Sequence, residues 1–319
     1  MTTTSHAALF DDPASHGAAS RVAIVGYGLI GGSIALAVHA RGPAAQVRVW
    51  DPQEAARTVA AGQLGGACVA HSLQAAVEDA DLVLITVPTA AFASVLREVI
   101  AHAKPTAVLS DVASVKGAIV EIVRDLPGAQ RARFVPAHPI AGSEQSGAQH
   151  ANGQLFTGQQ VILTPIEGTA AGHVDGMRRF WQGIGSRVSM MSPEAHDEVF
   201  SAVSHLPHLI AFAYLGALAG SDAGHDYAGM AGPGFRDFTR IAGANPSLWA
   251  DICVSNRRAL LGDLHHFKNH LELLCDALSQ GDRAGLSASF GAAKELRLAY
   301  ERHTHLQAAR ERSSDLPAE

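Results

Sequence analysis

Six residues near the start of the chain, Gly26-Tyr27-Gly28-Leu29-Ile30-Gly31, follow the apolar run Arg21–Val25 and open a longer apolar stretch. A second short run, Val47–Trp50, ends at Asp51, twenty residues after Gly31. Glycine-rich turns are common, but a strand, glycine turn, helix, strand and acid in this order form a dinucleotide-binding fingerprint. Gly26 permits the tight turn, Gly28 lets the backbone approach a pyrophosphate, and Gly31 lets the helix pack on the strand. The helix start, from Leu29 and Ile30 onward, offers free N–H groups and a partial positive charge to phosphate. Asp51 is spaced to accept hydrogen bonds from a ribose 2′-hydroxyl, and its charge would repel a 2′-phosphate, so NAD is the expected cofactor. Arg57, a turn or two further on, leaves NADP open as an alternative.

The bulk composition narrows the classes. A chain of 319 residues, 47% hydrophobic and 17% charged, has room for two domains with a sizeable core. A net charge of −6 and the lack of a basic stripe argue against nucleic acid as a partner. Cys68, Cys253 and Cys275 are widely separated, without metal-ligand spacing, as expected of reduced cytoplasmic thiols. Residues 1–20 carry no signal-peptide pattern; they and residues 311–319 read as disordered tails. No apolar run is read as long enough to span a membrane.

From Arg21 to about Met191, short apolar runs alternate with amphipathic stretches. The candidate strands are 22–25, 47–50, 82–87, 107–110, 133–137, 160–163 and 187–190. This alternation predicts an α/β fold, a doubly wound, mostly parallel sheet of the Rossmann type, over residues 21–192. Val87 and Pro88, at the end of the third strand, are expected at the carboxyl edge near the cofactor. Beyond Ser192 the pattern is helical to about residue 310, in runs 193–219, 235–242, 246–280 and 282–310. Pro207 should kink the first of these. The dense apolar run 209–218 reads as a helix buried in the core or at a subunit interface.

Two strand ends carry candidate chemistry. His138, within Pro136-Ala-His-Pro-Ile-Ala-Gly142-Ser-Glu144, is placed to face the nicotinamide, where neutral imidazole suits the removal of a hydroxyl proton during hydride loss. A loop-capping histidine is the structural alternative. Ser114, in Asp111-Val-Ala-Ser-Val-Lys116, stands at the mouth of a helix, where its hydroxyl could bond substrate and cofactor or simply cap the helix. In the helical half, His205 and His208 are three residues apart, as are Asp237 and Arg240. A carboxylate that orients a guanidinium makes a fork for a substrate carboxylate, although a surface ion pair has the same spacing. His265, His266 and His270 fit a solvated helix face. No metal site is expected.

The stretches GYGLIGGS, DVASVK, PAHPIAGSEQSG, SHLPHLIAF and GFRDFTRIAGANPSLW, in this order over residues 21–300, resemble the prephenate/arogenate dehydrogenase family of tyrosine biosynthesis. The resemblance implies a Rossmann-type domain followed by an all-helical dimerisation domain, here 193–310, and hence a cytoplasmic homodimer. It also implies NAD(P)-dependent oxidative decarboxylation of prephenate to 4-hydroxyphenylpyruvate. In the family pattern His138 polarises the ring hydroxyl and Ser114 positions it. Arg240, supported by Asp237, binds a substrate carboxylate. His208 lies near the side chain, Glu144 and Trp249 line the site, and His205 is close by. An arogenate or dual-specificity enzyme is the near alternative. A β-hydroxyacid dehydrogenase and a non-catalytic NAD sensor are remote ones.

Overall fold

The computed structural model describes residues 20–41, 45–142, 145–221 and 224–314. Most of the two expected tails, 1–19 and 315–319, lies outside them. Of the residues expected in the tails, Ser20 instead joins the first strand and residues 311–314 continue the last helix.

Five parallel strands, β1 (Ser20–Val25), β2 (Ala45–Trp50), β3 (Leu82–Ile85), β4 (Val108–Asp111) and β5 (Phe134–Val135), form a sheet in the order β2-β1-β3-β4-β5. A parallel bridge from Val49 to Val69 extends it beyond β2. The helices between are α1 (Leu29–His39), α2 (Glu54–Leu64), α3 (Leu73–Val77), α4 (Thr89–His102), α5 (Lys116–Arg124) and α6 (Gly128–Ala132). Strand side chains alternate between faces. Val22, Ile24, Leu82 and Leu84 enter one core with Ile34 and Val38, and Ala23, Val25, Val83 and Ile85 enter another with Phe92, Leu96 and Val123. Burial on both faces explains why these strands read as continuous apolar runs. The chain leaves β1 for β2 on one side and reaches β3 on the other. A crevice therefore opens above the carboxyl ends of β1 and β3, where such sheets bind their ligands.

Two expectations of the strand pattern are corrected. The run 133–137 is not one strand. Pro136 has no N–H to give a sheet ladder and divides it into β5 and β6 (Ala137–Ile140). The single mostly parallel sheet is accordingly two. β6, β7 (Gln160–Leu163) and β8 (Arg187–Met190) form a separate three-stranded sheet in that order, with β6 antiparallel to β7 and β7 parallel to β8. Helix α7 (Ala171–Gly183) buries Phe180 and Trp181, both 0% exposed, in the core shared by the two sheets. β3 stops at Ile85, so Val87 and Pro88 form the turn into α4.

No strand follows Met190 among the described residues. Helix α8 (Pro193–Phe200) is capped by Ser192 Oγ, which accepts from the Ala195 N–H at 3.1 Å. It runs through a π-helical turn, Ser201–His205, into α9 (Leu206–Ala219). That turn is the distortion expected from Pro207, whose missing N–H and bulky ring disturb the preceding turn. Helices α10 (Gly224–Gly229), α11 (Pro233–Thr239), α12 (Pro246–Ser255), α13 (Arg257–Ser279) and α14 (Arg283–Ser314) follow, with a 3₁₀ turn at Arg240–Gly243. The expected helix 246–280 breaks at Asn256, whose side chain bonds elsewhere.

Because the π turn carries the helix past Pro207, Pro193–Ala219 is continuous for 27 residues and contains an 18-residue stretch with a mean hydropathy of 1.4, long and apolar enough by length and composition to cross a membrane. This corrects the expectation that no run reaches that length. Its first half carries Glu194, His196, Asp197 and Glu198. Of α9 only Ala211 is buried, so the dense apolar run does not enter the core of the single chain.

The chain divides into two compact units, Met1–Leu260 and Leu261–Glu319. The second is a helical hairpin made of the rest of α13 and α14, turned at Gly281 (φ +66°), with His270 Nε2 3.2 Å from Ser289 Oγ across it. No group of metal-ligating side chains, His265, His266 and His270 included, forms a site among the described residues.

Candidate active site

The glycine turn has three distinct environments. Gly26 has φ +102°, and a Cβ there would stand 2.7 Å from the Thr86 carbonyl. A Cβ at Gly31 would stand 2.1 Å from the Gly26 carbonyl. At Gly28 a Cβ would meet nothing within 4 Å, so the backbone there faces open space. Gly28 is the N-cap of α1 and makes no side-chain cap, and the first turn, with Leu29 and Ile30, has no acidic residue. This arrangement fits the pyrophosphate of a dinucleotide. Asp51 follows β2 and its carboxylate is held over the turn. Oδ2 accepts from the Tyr27 N–H at 2.7 Å and Oδ1 from the Gln53 N–H at 2.8 Å. Arg57 donates to the carbonyls of Asp51 and Pro52. Thr86, which the sequence reading passed over, locks the turn by donating its hydroxyl to the Gly26 carbonyl at 2.6 Å. Val87 and Pro88 complete this rim between β3 and α4.

His138 lies on β6, 9% exposed, beyond the Pro136 break. Its Nδ1 is 2.8 Å from His196 Nε2, and His196 Nδ1 is 2.8 Å from Asp197 Oδ1. Asp197 also accepts from the N–H groups of Lys116 (2.8 Å) and Gly117 (2.7 Å), which makes it the cap of α5. Phe200 packs on both imidazoles. Ser114 is half-buried, two residues ahead of α5, and its hydroxyl caps nothing; the capping alternative is thereby removed. Beneath His138, Lys116 and Asp111 form a fully buried ion pair at 2.5 Å. Lys116 Nζ also donates to the Ala137 carbonyl at 2.6 Å, which bolts the start of β6 to the end of β4. Removing one member of such a pair strands a buried charge at a cost of about 3–5 kcal/mol.

The helical elements bring a second group together. His205, 1% exposed at the end of the π turn, accepts at Nδ1 from the Asn256 amide at 3.0 Å, so a neutral ring carries its proton on Nε2. Asn256 also donates to the Asp197 carbonyl at 2.8 Å. His208 Nδ1 donates to the Ser204 carbonyl at 2.9 Å, and its ring stacks on Trp249 with centroids 3.5 Å apart. Burial lowers the His208 pKa, the Ser204 bond raises it, and the nearby Arg240 guanidinium lowers it. Arg240 itself is exposed, at the first position of the 3₁₀ turn. Asp237 is exposed too, and no ion pair joins it to Arg240 among the described residues. The helix tightens at residue 240, and the α-helical spacing assumed for the pair ends there. Glu144 lies outside the described residues.

The buried imidazoles are held neutral. Burial above all, then His196, Lys116 and His205, put the His138 pKa well below its ordinary value. Burial pushes His205 down to about 4, against an upward pull from Asp197. Burial lowers His196 as well, with Asp197 opposing. Burial pushes Asp197 upward, but its bonds from His196, Lys116 and Gly117 win and hold it below the usual carboxylate range. All four shifts have the same consequence. Below about pH 6.5 the unfolded chain binds protons that the native histidines refuse, so stability present at neutral pH is lost as pH falls. His205 alone should account for roughly 3 kcal/mol between neutral pH and its folded pKa. Urea midpoints taken stepwise from neutral to acid should fall accordingly. A flat profile would show that these rings are already charged in the native state.

Asp111, Lys116, His196, Asp197, Thr86 and Asn256 were all missed as site residues. One weak signal existed. Gly117 follows Lys116, and a Cβ there would stand 2.8 Å from the Asp197 carboxylate.

Comparison with known proteins identifies the family. Residues 34–190 match the family model "Prephenate dehydrogenase, nucleotide-binding domain", and residues 192–292 match "Prephenate dehydrogenase, dimerization domain". Cyclohexadienyl dehydrogenase of Zymomonas mobilis is 37% identical over 281 residues, 87% of this chain and 95% of that protein. The crystal structure of prephenate dehydrogenase from A. aeolicus with hydroxyphenyl propionate and NAD+ superposes with a TM-score of 0.81 at 31% identity, covering 89% of this chain and 99% of that one. Synechocystis arogenate dehydrogenase gives 0.74 at 29% identity, covering 88% and 99%. The Rossmann-type sheet, the helical region after it and these matches establish that the chain belongs to the prephenate dehydrogenase family of NAD-dependent oxidoreductases.

Proposed function

We propose that the chain is a prephenate dehydrogenase that converts prephenate to 4-hydroxyphenylpyruvate and carbon dioxide in tyrosine biosynthesis, with NAD as cofactor. The observation that carries this reading is a buried, neutral imidazole, His138, on the strand that follows the carboxyl edge of the dinucleotide-binding sheet. NAD, when bound, supplies the hydride acceptor. Gly26, Gly28, Leu29, Ile30 and Gly31 receive its pyrophosphate, Asp51 its ribose, and Val87 and Pro88 border it. With Asp51 Oδ2 bonded to the glycine turn through the Tyr27 N–H, the carboxylate stands where it would repel a 2′-phosphate, and NAD is favoured over NADP.

His138 Nε2 takes the proton of the substrate's ring hydroxyl while the carbon-bound hydrogen leaves as hydride. The bond to the ring carboxylate then breaks, and its electron pair enters the ring and makes it aromatic. The ring oxygen recovers the proton from His138, so the protein ends unchanged. Ser114, its hydroxyl free of capping duty, positions the ring hydroxyl and the nicotinamide. Arg240 anchors a substrate carboxylate, with Asp237 one turn before it. His205, His208 and Trp249 line the pocket around the side chain.

A second reading, arogenate as substrate, has an observation in its favour. Because His208 Nδ1 donates to the Ser204 carbonyl, the neutral ring presents only an acceptor at Nε2. An acceptor suits the ammonium group of arogenate better than the keto oxygen of prephenate. NADH formation with each substrate at matched concentration tests both readings. Turnover of prephenate supports the proposal, and the ratio shows which side chain the pocket prefers. Turnover of neither, with NAD or NADP, overturns it.

The exposed apolar side chains Val199, Val203, Tyr214, Phe238, Leu248 and Val254 support a homodimer through the helical region. The division of the chain at 192/193 is drawn from the change of pattern there. The three free thiols fit the cytoplasm.

A further inference from the structure

His138 can take a hydroxyl proton at Nε2 only if its neutral ring carries its own proton on Nδ1. The tautomer of an imidazole is set by the hydrogen bond of its other nitrogen. Here that bond runs to a second imidazole and from there to a carboxylate, with both contacts at 2.8 Å. A carboxylate can only accept, so His196 must donate from Nδ1. His196 Nε2 is then an acceptor, and His138 must donate to it from Nδ1. One ionised group at the end of the line therefore dictates the direction of both bonds.

The end of the line is well held. Asp197 takes two backbone N–H groups at the start of α5, where the helix dipole also favours negative charge. His196 is 0% exposed, and Phe200 seals one side of both rings. The other charged or titratable groups facing the pair are Lys116, which Asp111 neutralises across β4, and His205 from the π turn. A phenylalanine at position 196 would fill similar space without two buried polar nitrogens, so packing alone does not account for a histidine there.

We propose that His196 and Asp197 are positioning residues that hold His138 in the Nδ1–H tautomer and share the positive charge that arises when the substrate proton reaches Nε2. This rests on His138 being the base. No proton passes beyond the ring of His138; the charge is spread along the existing bonds and withdrawn when the proton returns.

Two substitutions at one position separate acceptor chemistry from packing. His196→Phe should lower kcat by about 10²-fold or more while KM for substrate and affinity for NAD stay nearly unchanged. His196→Gln, whose carbonyl oxygen can accept from His138 while its amide donates to Asp197, should recover most of the lost kcat. Equal damage by both, or none by His196→Phe, overturns the proposal. Should His196→Phe fail to bind NAD, the native enzyme still decides. In protein labelled with ¹⁵N-histidine, with the His138 signals assigned by their loss in His138→Asn, the proton should reside on Nδ1 at neutral pH. A proton on Nε2 overturns the proposal. Wild-type turnover in His138→Asn would instead overturn the base assignment, and the two failures are thereby distinguished.

Discussion

His138→Asn should lower kcat by about 10²–10⁴ and leave NAD affinity unchanged, the usual worth of a general base. In barrier height this is roughly 3–5 kcal/mol. Asparagine is small enough for the site and can still bond His196, so the fold should survive. The loss would then report proton removal rather than collapse. Binding of NAD, followed by fluorescence, serves as the control because the glycine turn lies on the other sheet. Turnover close to that of the native enzyme would remove His138 from the chemistry.

Arg240→Ala should act mainly on KM. A charge-assisted bond to a carboxylate is worth about 1.5–3 kcal/mol, which corresponds to a roughly 10- to 150-fold rise in KM. The exposure of Arg240 in the single chain places the effect within this range rather than above it. Arg240→Lys keeps the charge but loses the planar fork, so it should recover only part of the affinity. A KM unaltered in both variants, measured with saturating NAD, would assign the substrate carboxylate to another cation.

The parts of this fold legible from sequence were those whose cause is local. The glycine turn was readable because Gly26, Gly28 and Gly31 answer to backbone geometry within six residues. The strands were readable because burial on both faces leaves runs such as 82–85 without a polar residue. Pro136 was in plain view, yet the period of the apolar residues runs straight through it. Only the pairing partners reveal that residues on its two sides belong to different sheets. The line from His138 to Asp197 was invisible for another reason. His138 and His196 are 58 residues apart, and in the sequence His196 and Asp197 look like two polar residues in the first turns of a surface helix. Lys116 likewise reads as solvated, and only the structure shows it 0% exposed against Asp111. The apolar run 209–218 illustrates a different limit. Its hydrophobicity is plain in the sequence, but within the single chain only Ala211 of it is buried, and the spacing of its residues does not tell a core from a subunit interface.

The break at Pro136 also assigns the two critical distances of the reaction to separate frameworks. In the proposed reaction the hydride travels to a ring held above β1 and β3, and the proton to a ring carried by β6. Lys116 is the rivet between the frameworks, since its backbone starts α5 while its ammonium grips the peptide just before His138. A substitution at Ile162 on β7, which pairs with His138 and lies outside the core the two sheets share, can therefore adjust the base with little effect on the cofactor seat, and changes around the glycine turn can do the reverse. A catalyst built this way can drift toward a new substrate one distance at a time.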